Sequence, residues 1–236
     1  MKTHQWLTRV SVAVGSMLVV SAASADEKDR AASSQENAAP FRAPTHAVEL
    51  TIGTGYAQGV GNVGAQHPTL TDVATAGGAV QLGAGYRLTK NLTLGVYGSG
   101  GMFGRGDRVD TSASVYTATA GFEAGWHFRP DQQLDPWVSL GSGWRGYWVS
   151  ADQGTTALHG IELAKLQVGL DYRLTQGVAI SPVLGADLST FLTESAAGAS
   201  GYQNVANPNV NAFFFAGVQG RFDIPTRSAP QATASR

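Results

Sequence analysis

The sequence contains no cysteine and little charge, since only 14% of its 236 residues are Asp, Glu, Lys or Arg. Without cysteine, an exported protein has neither disulfide bonds nor an N-terminal cysteine for a lipid anchor. A typical soluble domain carries about 25% charged residues, so this composition predicts that much of the surface is not in contact with water. The formal net charge of −1 and the lack of Lys- and Arg-rich runs argue against nucleic acid as a partner.

The N-terminal residues combine positive charge, a short apolar stretch and a small-residue site. Lys2 and Arg9 precede the apolar residues 10–20, which are too few to span a bilayer as a helix, and Ala23-Ser24-Ala25 follows. This order is typical of a secretory signal peptide. We therefore expect residues 1–25 to be cleaved and the mature chain to begin at Asp26.

Two further segments are rich in small and polar residues. Residues 26–46 follow the expected cleavage site, and residues 225–236 come last in the sequence. Such compositions bury too little apolar surface to fold, so they predict a disordered periplasmic N-terminal arm and a disordered periplasmic tail. The 30 glycines of the chain weaken helix interiors and argue against a helical bundle for the domain between these segments, residues 47–224.

Apolar side chains in this domain recur at every second position, which is the period of a β-strand. In residues 115–128, for example, Tyr116, Phe122 and Trp126 fall on one face and Glu123 falls on the other. Eight such segments are present, at 47–58, 77–88, 92–103, 114–128, 137–149, 160–174, 178–192 and 210–224. Each is as long as the roughly 9–11 residues that a tilted membrane strand needs. The pattern predicts an all-β fold, an eight-stranded antiparallel transmembrane up-and-down β-barrel.

The connections between these segments alternate in length. Residues 89–91 and 175–177 form tight turns, and residues 129–136 form a somewhat longer polar turn. The intervening links are longer, at 59–76, 104–113, 150–159 and 193–209. Outer-membrane barrels have short periplasmic turns and long extracellular loops, so we expect both termini in the periplasm and the long links outside the cell.

Charged and aromatic residues are sorted between the two faces. Glu162 is the one charged residue on the face that we assign to lipid. Aromatic residues on that face gather near the two ends of the strands, at Tyr86, Phe128, Tyr172 and Phe222 on one side and at Tyr56, Tyr116, Trp148 and Phe214 on the other. A soluble barrel needs a charged exterior, whereas an apolar exterior with two aromatic girdles is typical of a membrane barrel.

The opposite, inward face carries both signs of charge. We expect a lumen charge network of Glu49, Arg87, Glu123, Arg145, Lys165, Asp171, Arg173, Asp187 and Arg221, with Asp223 beside it. Unpaired charge is costly to bury, and an eight-stranded interior is only wide enough for side chains, so these groups predict a plug of ion pairs. Inward glycines such as Gly121 and Gly169 leave space that we expect arginine side chains to fill. A narrow wet pore is the alternative interpretation.

The signal peptide, the eight segments and the last strand together carry a resemblance. The last strand reads Phe213-Phe214-Phe215-Ala216-Gly217-Val218-Gln219-Gly220-Arg221-Phe222. Over residues 47–224 the chain resembles the family of small bacterial outer-membrane barrels, such as the transmembrane domain of outer membrane protein A. The resemblance implies location in the outer membrane of a Gram-negative cell, contact with its lipids, and recognition of the terminal aromatic, Phe222 here, by the barrel assembly machinery.

The expected function is that of an integral outer-membrane protein with a structural or surface-interaction role, binding an extracellular ligand through its long loops. A narrow porin-like channel for small solutes is the alternative. A lipid-modifying enzyme would need a Ser, His and acid group at the outer rim, for which His159 with Ser150 and Glu162 is the one candidate. We expect no enzymatic activity and no cofactor, because the sequence shows neither metal-ligand spacing nor a phosphate-binding loop.

Overall fold

The computed structural model describes residues 41–64 and 67–226, which form a closed antiparallel β-barrel of eight strands. The predicted signal peptide, most of the predicted N-terminal arm and nearly all of the predicted tail lie outside these residues. The predicted fold class is confirmed. No helix within 41–64 or 67–226 is long and apolar enough to cross a membrane.

The strands follow the chain in order around the barrel. They are β1 (Ala47–Val60), β2 (Ala74–Arg87), β3 (Leu92–Arg105), β4 (Ser114–His127), β5 (Leu134–Ala151), β6 (Gly154–Thr175), β7 (Val178–Ser195) and β9 (Val210–Pro225). A short helix, α1 (Leu70–Val73), precedes β2, and a two-residue strand, β8 (Gln203–Asn204), pairs with the end of β7. Strand β9 closes the barrel on β1, from Ala47 opposite Pro225 to Val60 opposite Ala212. No sheet edge therefore remains open in the barrel wall, as hydrocarbon requires.

The two ends of the barrel differ in their connections. At one end, here called the turn end, residues 88–91, 128–133 and 176–177 join the strands. At the opposite end, the loop end, the links 61–73, 106–113 and 196–209 are longer. Both ends of the barrel domain, Ala47 and Pro225, lie at the turn end.

One predicted loop is wrong. The long link expected at 150–159 is almost entirely strand, and only residues 152 and 153 separate β5 from β6. Gly154 has a φ of 129°, a backbone conformation that glycine adopts without steric cost, and this permits the tight reversal. Strands β5, β6 and β7 contain 18, 22 and 18 residues and so extend the sheet beyond its neighbours at the loop end.

The outer surface of the barrel is a continuous apolar band. Leu82 is 57% exposed, Leu184 is 61% exposed and Phe122 is 75% exposed, although all three lie in the middle of strands. Tyr86, Phe128, Tyr172 and Phe222 are exposed at the turn end, and Tyr56, Tyr116 and Phe214 are exposed towards the loop end. Trp148, also expected outside, is half-buried. Such a band is stable only against lipid.

The residues just before β1 pack against the turn end. The Ala43 N–H donates to the Pro130 carbonyl at 2.8 Å, and Ala43 is buried. Arg42 Nε lies 3.1 Å from Asp131 Oδ1. Residues 41–46, which belong to the predicted N-terminal arm, thus cover part of the turn that joins β4 to β5.

Candidate functional site

The lumen holds all nine residues of the predicted charge network, and they form two groups at different heights. The turn-end cluster consists of Glu49, Arg87, His127, Asp135, Asp171, Arg173, Arg221 and Asp223. The mid-lumen cluster consists of Tyr97, Glu123, Arg145, Glu162, Lys165 and Asp187. Alternation along the strands aims these side chains inward, except that a β-bulge turns Glu162 inward, and a closed barrel of eight strands leaves them no space except against one another.

Ion pairs join the first strands to the last one in the turn-end cluster. Arg87 Nη2 donates to Glu49 Oε2 at 2.6 Å and to Asp223 Oδ1 at 3.3 Å. Arg173 Nη1 donates to the other Asp223 oxygen at 2.9 Å. Arg221 Nη1 also contacts Glu49. Arg87 and Arg173 are fully buried, so these contacts replace water as the partners of their charges.

A histidine and two carboxylates complete this cluster. His127 Nδ1 lies 2.8 Å from Asp135 Oδ2 and 4.0 Å from Asp171 Oδ2, and all three side chains are buried. Their ligand atoms are close enough together to hold a metal ion. However, Arg221 Nε lies 2.8 Å from Asp171 and Arg173 Nη2 lies 3.9 Å from Asp135. These guanidinium groups already neutralise the carboxylates, so the arrangement fits an ion-pair network better than a metal site.

The mid-lumen cluster brings together four charges of the predicted network, Glu123, Arg145, Lys165 and Asp187. Lys165 Nζ lies 3.2 Å from Glu123 Oε2, and Arg145 Nη2 lies 2.8 Å from Asp187 Oδ2. The same Arg145 nitrogen also lies 2.8 Å from Glu162 Oε2. Each cation therefore has a carboxylate partner within the lumen.

Glu162 corrects the sequence-based assignment, which placed it on the lipid face. It is fully buried in the lumen, where it accepts a hydrogen bond of 2.8 Å from the Tyr97 hydroxyl. The pairing of β6 with β7 shifts register between Glu162 and Ala164. A β-bulge of this kind adds one residue to the strand and so turns Glu162 to the opposite face.

Aromatic side chains, not arginines, fill the space beside the lumen glycines Gly121 and Gly169. A Cβ atom on Gly169 would lie 2.5 Å from the Trp137 ring, and one on Gly121 would lie 2.6 Å from the Tyr97 hydroxyl. The cations stack on these rings, with Lys165 Nζ 3.6 Å from the centre of Tyr97. In the same way, Arg221 Cζ lies 5.0 Å from the centre of Trp137. Such cation–π contacts add to the ion pairs in a desolvated site.

A small cavity separates the two charged clusters. Its volume is about 30 Å³, and its lining includes Glu49, Glu123, Gln167 and Gln219. A cavity needs only about 10–15 Å³ to hold a water molecule, so this one has room for one or two. A space of this volume is too small for a continuous water column through the lumen.

The loop end of the lumen is closed by packed rings. Phe103, Phe191 and Phe213 surround Tyr147, with ring centres 6.0 to 6.4 Å from its own, and Arg145 Cζ lies 4.0 Å from the centre of Phe213. We call the four rings the aromatic plug. The sequence analysis did not anticipate it, although Phe213 lies opposite the outward Phe214 on the alternating strand β9.

Residues 67–73 fold over the aromatic plug. Helix α1 begins after Thr69, whose hydroxyl accepts from the Asp72 N–H at 3.2 Å while the Asp72 carboxylate accepts from the Thr69 N–H at 3.4 Å. This capping box fixes the first turn of the helix. Leu70 is 1% exposed and packs into the apolar core below.

The candidate catalytic group at the rim is not assembled. Glu162 lies inside the lumen, whereas the outward His159 stacks on Trp144 with ring centres 5.6 Å apart. His159 Nε2 also lies 3.1 Å from the Tyr202 hydroxyl. Ser150 forms its hydrogen bond with Thr155, at 3.0 Å. His159 is thus part of an aromatic cluster on the outer face of the loop end.

Solved structures of small outer-membrane proteins share this fold. Neisserial surface protein A is similar with a TM-score of 0.52 and 13% identity, over 74% of this chain and 96% of that one. AlkL in lipid bilayers is similar with a TM-score of 0.48 and 13% identity, over 87% of this chain and 99% of that one. The N-terminal β-barrel of Pseudomonas aeruginosa OprF is similar with a TM-score of 0.46 and 16% identity, over 76% of this chain and 98% of that one. At these identities the likeness concerns the fold. No protein-family model and no curated protein matches the chain.

Proposed function

We propose that this protein, a small eight-stranded outer-membrane β-barrel, acts at the cell surface as an interaction protein and does not conduct solutes through its lumen. The loop end carries the interaction surface and faces outward, in keeping with the usual placement of long loops in such barrels. The fold positions this surface, whereas the specific role depends on the residues that it presents.

The observation that carries the proposal is the succession of barriers along the lumen. The turn-end cluster comes first, then the mid-lumen cluster, and the aromatic plug closes the loop end. An ion passing through would have to displace buried, paired charges and then enter an apolar layer. The first step is costly because it breaks buried ion pairs, and the second because the apolar layer offers no replacement for the hydration shell of the ion.

The loop end offers an ordered surface for a partner outside the cell. The links 61–73 and 106–113 are tied together, because the Gly106 N–H donates to Val73 O at 2.8 Å and the Arg108 N–H donates to Asp72 O at 3.0 Å. The projecting β5–β6 hairpin adds the aromatic cluster around His159. Pre-ordered loops bind without a large loss of conformational entropy, which suits recognition.

Two partners are proposed from the fold alone. Outer-membrane lipids cover the apolar band, and the barrel assembly machinery reads the end of β9. Phe222 is exposed on the outer face near that end, as an aromatic recognition residue would need to be. Its replacement by Ala should slow assembly in cells more than it slows refolding of the purified protein into detergent.

Planar-bilayer recording tests the closed lumen directly. We expect the refolded wild-type protein to give no conductance steps, while a general porin in the same membranes serves as the positive control. Lys165→Ala removes one of the two mid-lumen cations, and we expect brief conductance events from the weakened barrier. Lys90→Ala is the matched control, because Lys90 is an exposed lysine in a turn.

A steady conductance from the wild-type protein would overturn the closed lumen and support the narrow porin-like channel instead. Liposome swelling with small neutral sugars provides a second readout, since it does not depend on ionic selectivity. Swelling above that of protein-free liposomes would lead to the same conclusion.

A further inference from the structure

The aromatic cluster around His159 lies on the outer face of the barrel, where β5 and β6 extend beyond their neighbours. It consists of Trp144, Trp148, His159 and Tyr202, and we call it the rim cluster. Trp144 and Trp148 flank Gly146 on β5, and His159 of β6 lies opposite that glycine. The ring centre of His159 lies 5.6 Å from each of the two indoles and 5.2 Å from Tyr202.

The rings of the rim cluster are held in place before any ligand arrives. A Cβ atom on Gly146 would lie 2.7 Å from the Trp144 ring and closer still to Trp148, so both indoles lean over this glycine. His159 Nε2 lies 3.1 Å from the Tyr202 hydroxyl, which fastens the link 196–209 to the cluster. Trp144 is 40% exposed and Tyr202 is 61% exposed. The cluster is therefore an ordered surface that is open on its outer side.

The height of the rim cluster above the turn end places it at the outer margin of the membrane. The Pro136 carbonyl of β5 accepts from the N–H of Phe128, which belongs to the turn-end aromatic girdle. A strand tilted by about 40° rises about 2.5 Å per residue, and the apolar band of a barrel is about 25 Å tall. Trp144 and Trp148 follow Pro136 by 8 and 12 residues, so they stand about 20 Å and about 30 Å above it. The cluster thus begins inside the apolar band and ends in the headgroup layer.

The part of the β5–β6 hairpin that reaches this layer carries little charge. Between residues 146 and 161, Asp152 at the tip is the one Asp, Glu, Lys or Arg residue. Phosphate groups are bound by arginine and lysine, so the hairpin does not suit them. Aromatic faces beside a histidine and a tyrosine hydroxyl instead suit a ring with C–H groups on its face and hydroxyls at its edge. A sugar has this chemistry.

We propose that the rim cluster binds the sugar headgroup of an outer-leaflet glycolipid. The membrane that covers the apolar band supplies this ligand, because the outer leaflet of a Gram-negative outer membrane contains glycolipid with a glucosamine headgroup. Its acyl chains lie against the band below, and a sugar ring stacks on Trp148. A hydroxyl both donates and accepts, so Tyr202 can bond a sugar hydroxyl while it stays with His159. This inference deepens the proposed interaction role and rests on the outward orientation of the loop end.

The NMR signal of the His159 ring tests the proposal. The full chain, labelled with ¹³C in its histidine rings, is placed in phosphatidylcholine nanodiscs with a rising fraction of lipid A, a glycolipid with a phosphorylated glucosamine disaccharide as headgroup. We expect a saturable shift of the His159 signal, which His159→Gln identifies. His127 is buried in the turn-end cluster and should not shift. Phosphatidylglycerol, an anionic lipid without sugar, is the lipid control and should leave both signals unchanged.

Two variants and a matched control connect the shift to the aromatic faces. Trp148→Leu keeps an apolar side chain, and we expect the lipid A fraction at half saturation to rise about three- to tenfold, the size of one aromatic contact. Trp144→Leu tests the same surface if heat-dependent migration in gel electrophoresis shows that Trp148→Leu is not a folded barrel. Phe214→Leu is the control, because Phe214 is exposed and lies 8 residues from the girdle residue Phe222, outside the rim cluster.

Four results would overturn the proposal. The first two are the absence of a saturable His159 shift with lipid A and an equal shift with phosphatidylglycerol. The third is an equal effect of Trp148→Leu and Phe214→Leu. The fourth is the same shift from a free glucosamine disaccharide at the same concentration, which would assign the surface to a soluble glycan. Lipid A enters both leaflets of a nanodisc, so these results depend neither on the orientation of the barrel nor on conduction, and the proposed function is tested separately.

Discussion

The two ends of the lumen are filled by opposite chemistry. At the turn end, four carboxylates meet three guanidinium groups and a histidine, and every one of these side chains is buried. At the loop end, four aromatic rings and Leu70 close the same cylinder with few polar atoms. The wall that surrounds both is one continuous sheet, so the side chains alone create the difference.

The comparison shows that a barrel can be sealed in two ways with different tolerances. A charged layer is stable only while every member has its partner, because the loss of one leaves another charge buried and alone. An aromatic layer depends on shape, and neighbouring rings can adjust to a change. We therefore expect single substitutions to lower the free energy of unfolding most at the turn end.

Arg87→Met should have the largest effect on stability. It removes the cation between Glu49 and Asp223, so two carboxylates lose a buried partner. We expect the free energy of unfolding to fall by about 3–5 kcal/mol, measured by urea titration of the barrel in lipid vesicles. Lys90→Met is the control, since its exposed pair with Asp131 contributes about 0–1 kcal/mol. Similar losses of unfolding free energy for both variants would show that the buried charges at the turn end are no more sensitive to substitution than an exposed pair.

Tyr97→Phe tests the mid-lumen cluster, which lies between the two ends. The change removes a hydroxyl that donates to the buried carboxylate of Glu162 and leaves the ring under Lys165. Hydrogen bonds to charged groups contribute about 1.5–3 kcal/mol, and we expect a destabilisation of that size in the same titration. An unchanged midpoint would show that this hydrogen bond adds nothing to stability.

Tyr147→Phe makes the same chemical change in the aromatic plug and should have the smallest effect. Its hydroxyl has no partner among the residues that the structure describes, so its removal breaks no hydrogen bond. We expect the free energy of unfolding to stay within about 0.5 kcal/mol or to rise, because an unsatisfied buried group is lost. A loss as large as that of Tyr97→Phe would mean that the hydroxyl is paired after all.

The strands and the inward charges could be predicted from the sequence because both depend on alternation. Lipid selects apolar side chains at every second position, and a narrow lumen collects the charges at the others. Alternation alone therefore assigned Arg87, Arg173 and Lys165 correctly to the inward face. It assigned Glu123 and Asp187 correctly as well. The ion-pair partner of each inward charge cannot be predicted from alternation, since it depends on the stagger of the strands around the barrel.

Glu162 and the β5–β6 hairpin show where alternation fails. A bulge adds one residue without a signature in the composition, so the positions on its two sides alternate out of phase, and Glu162 falls on the face opposite to the one expected from Ala164 onwards. The prediction of a long loop at 150–159 failed for a different reason. Beyond the bilayer no lipid selects apolar residues, so polar residues such as Ser150 and Thr155 continue a strand that no longer shows the pattern. Asp135 was missed because it lies just before the apolar part of β5.

The closing of β9 on β1 has a consequence for the order in which the molecule can be made. The other seams of the barrel join strands that follow one another along the chain, whereas this seam joins residues 47–60 to residues 212–225. Contacts so distant in sequence form late and slowly. Until they form, two rows of backbone amides and carbonyls have no partners and cannot stay in hydrocarbon. Insertion into the bilayer and completion of the circle must therefore proceed as one event, and its rate depends on the arrival of the last strand.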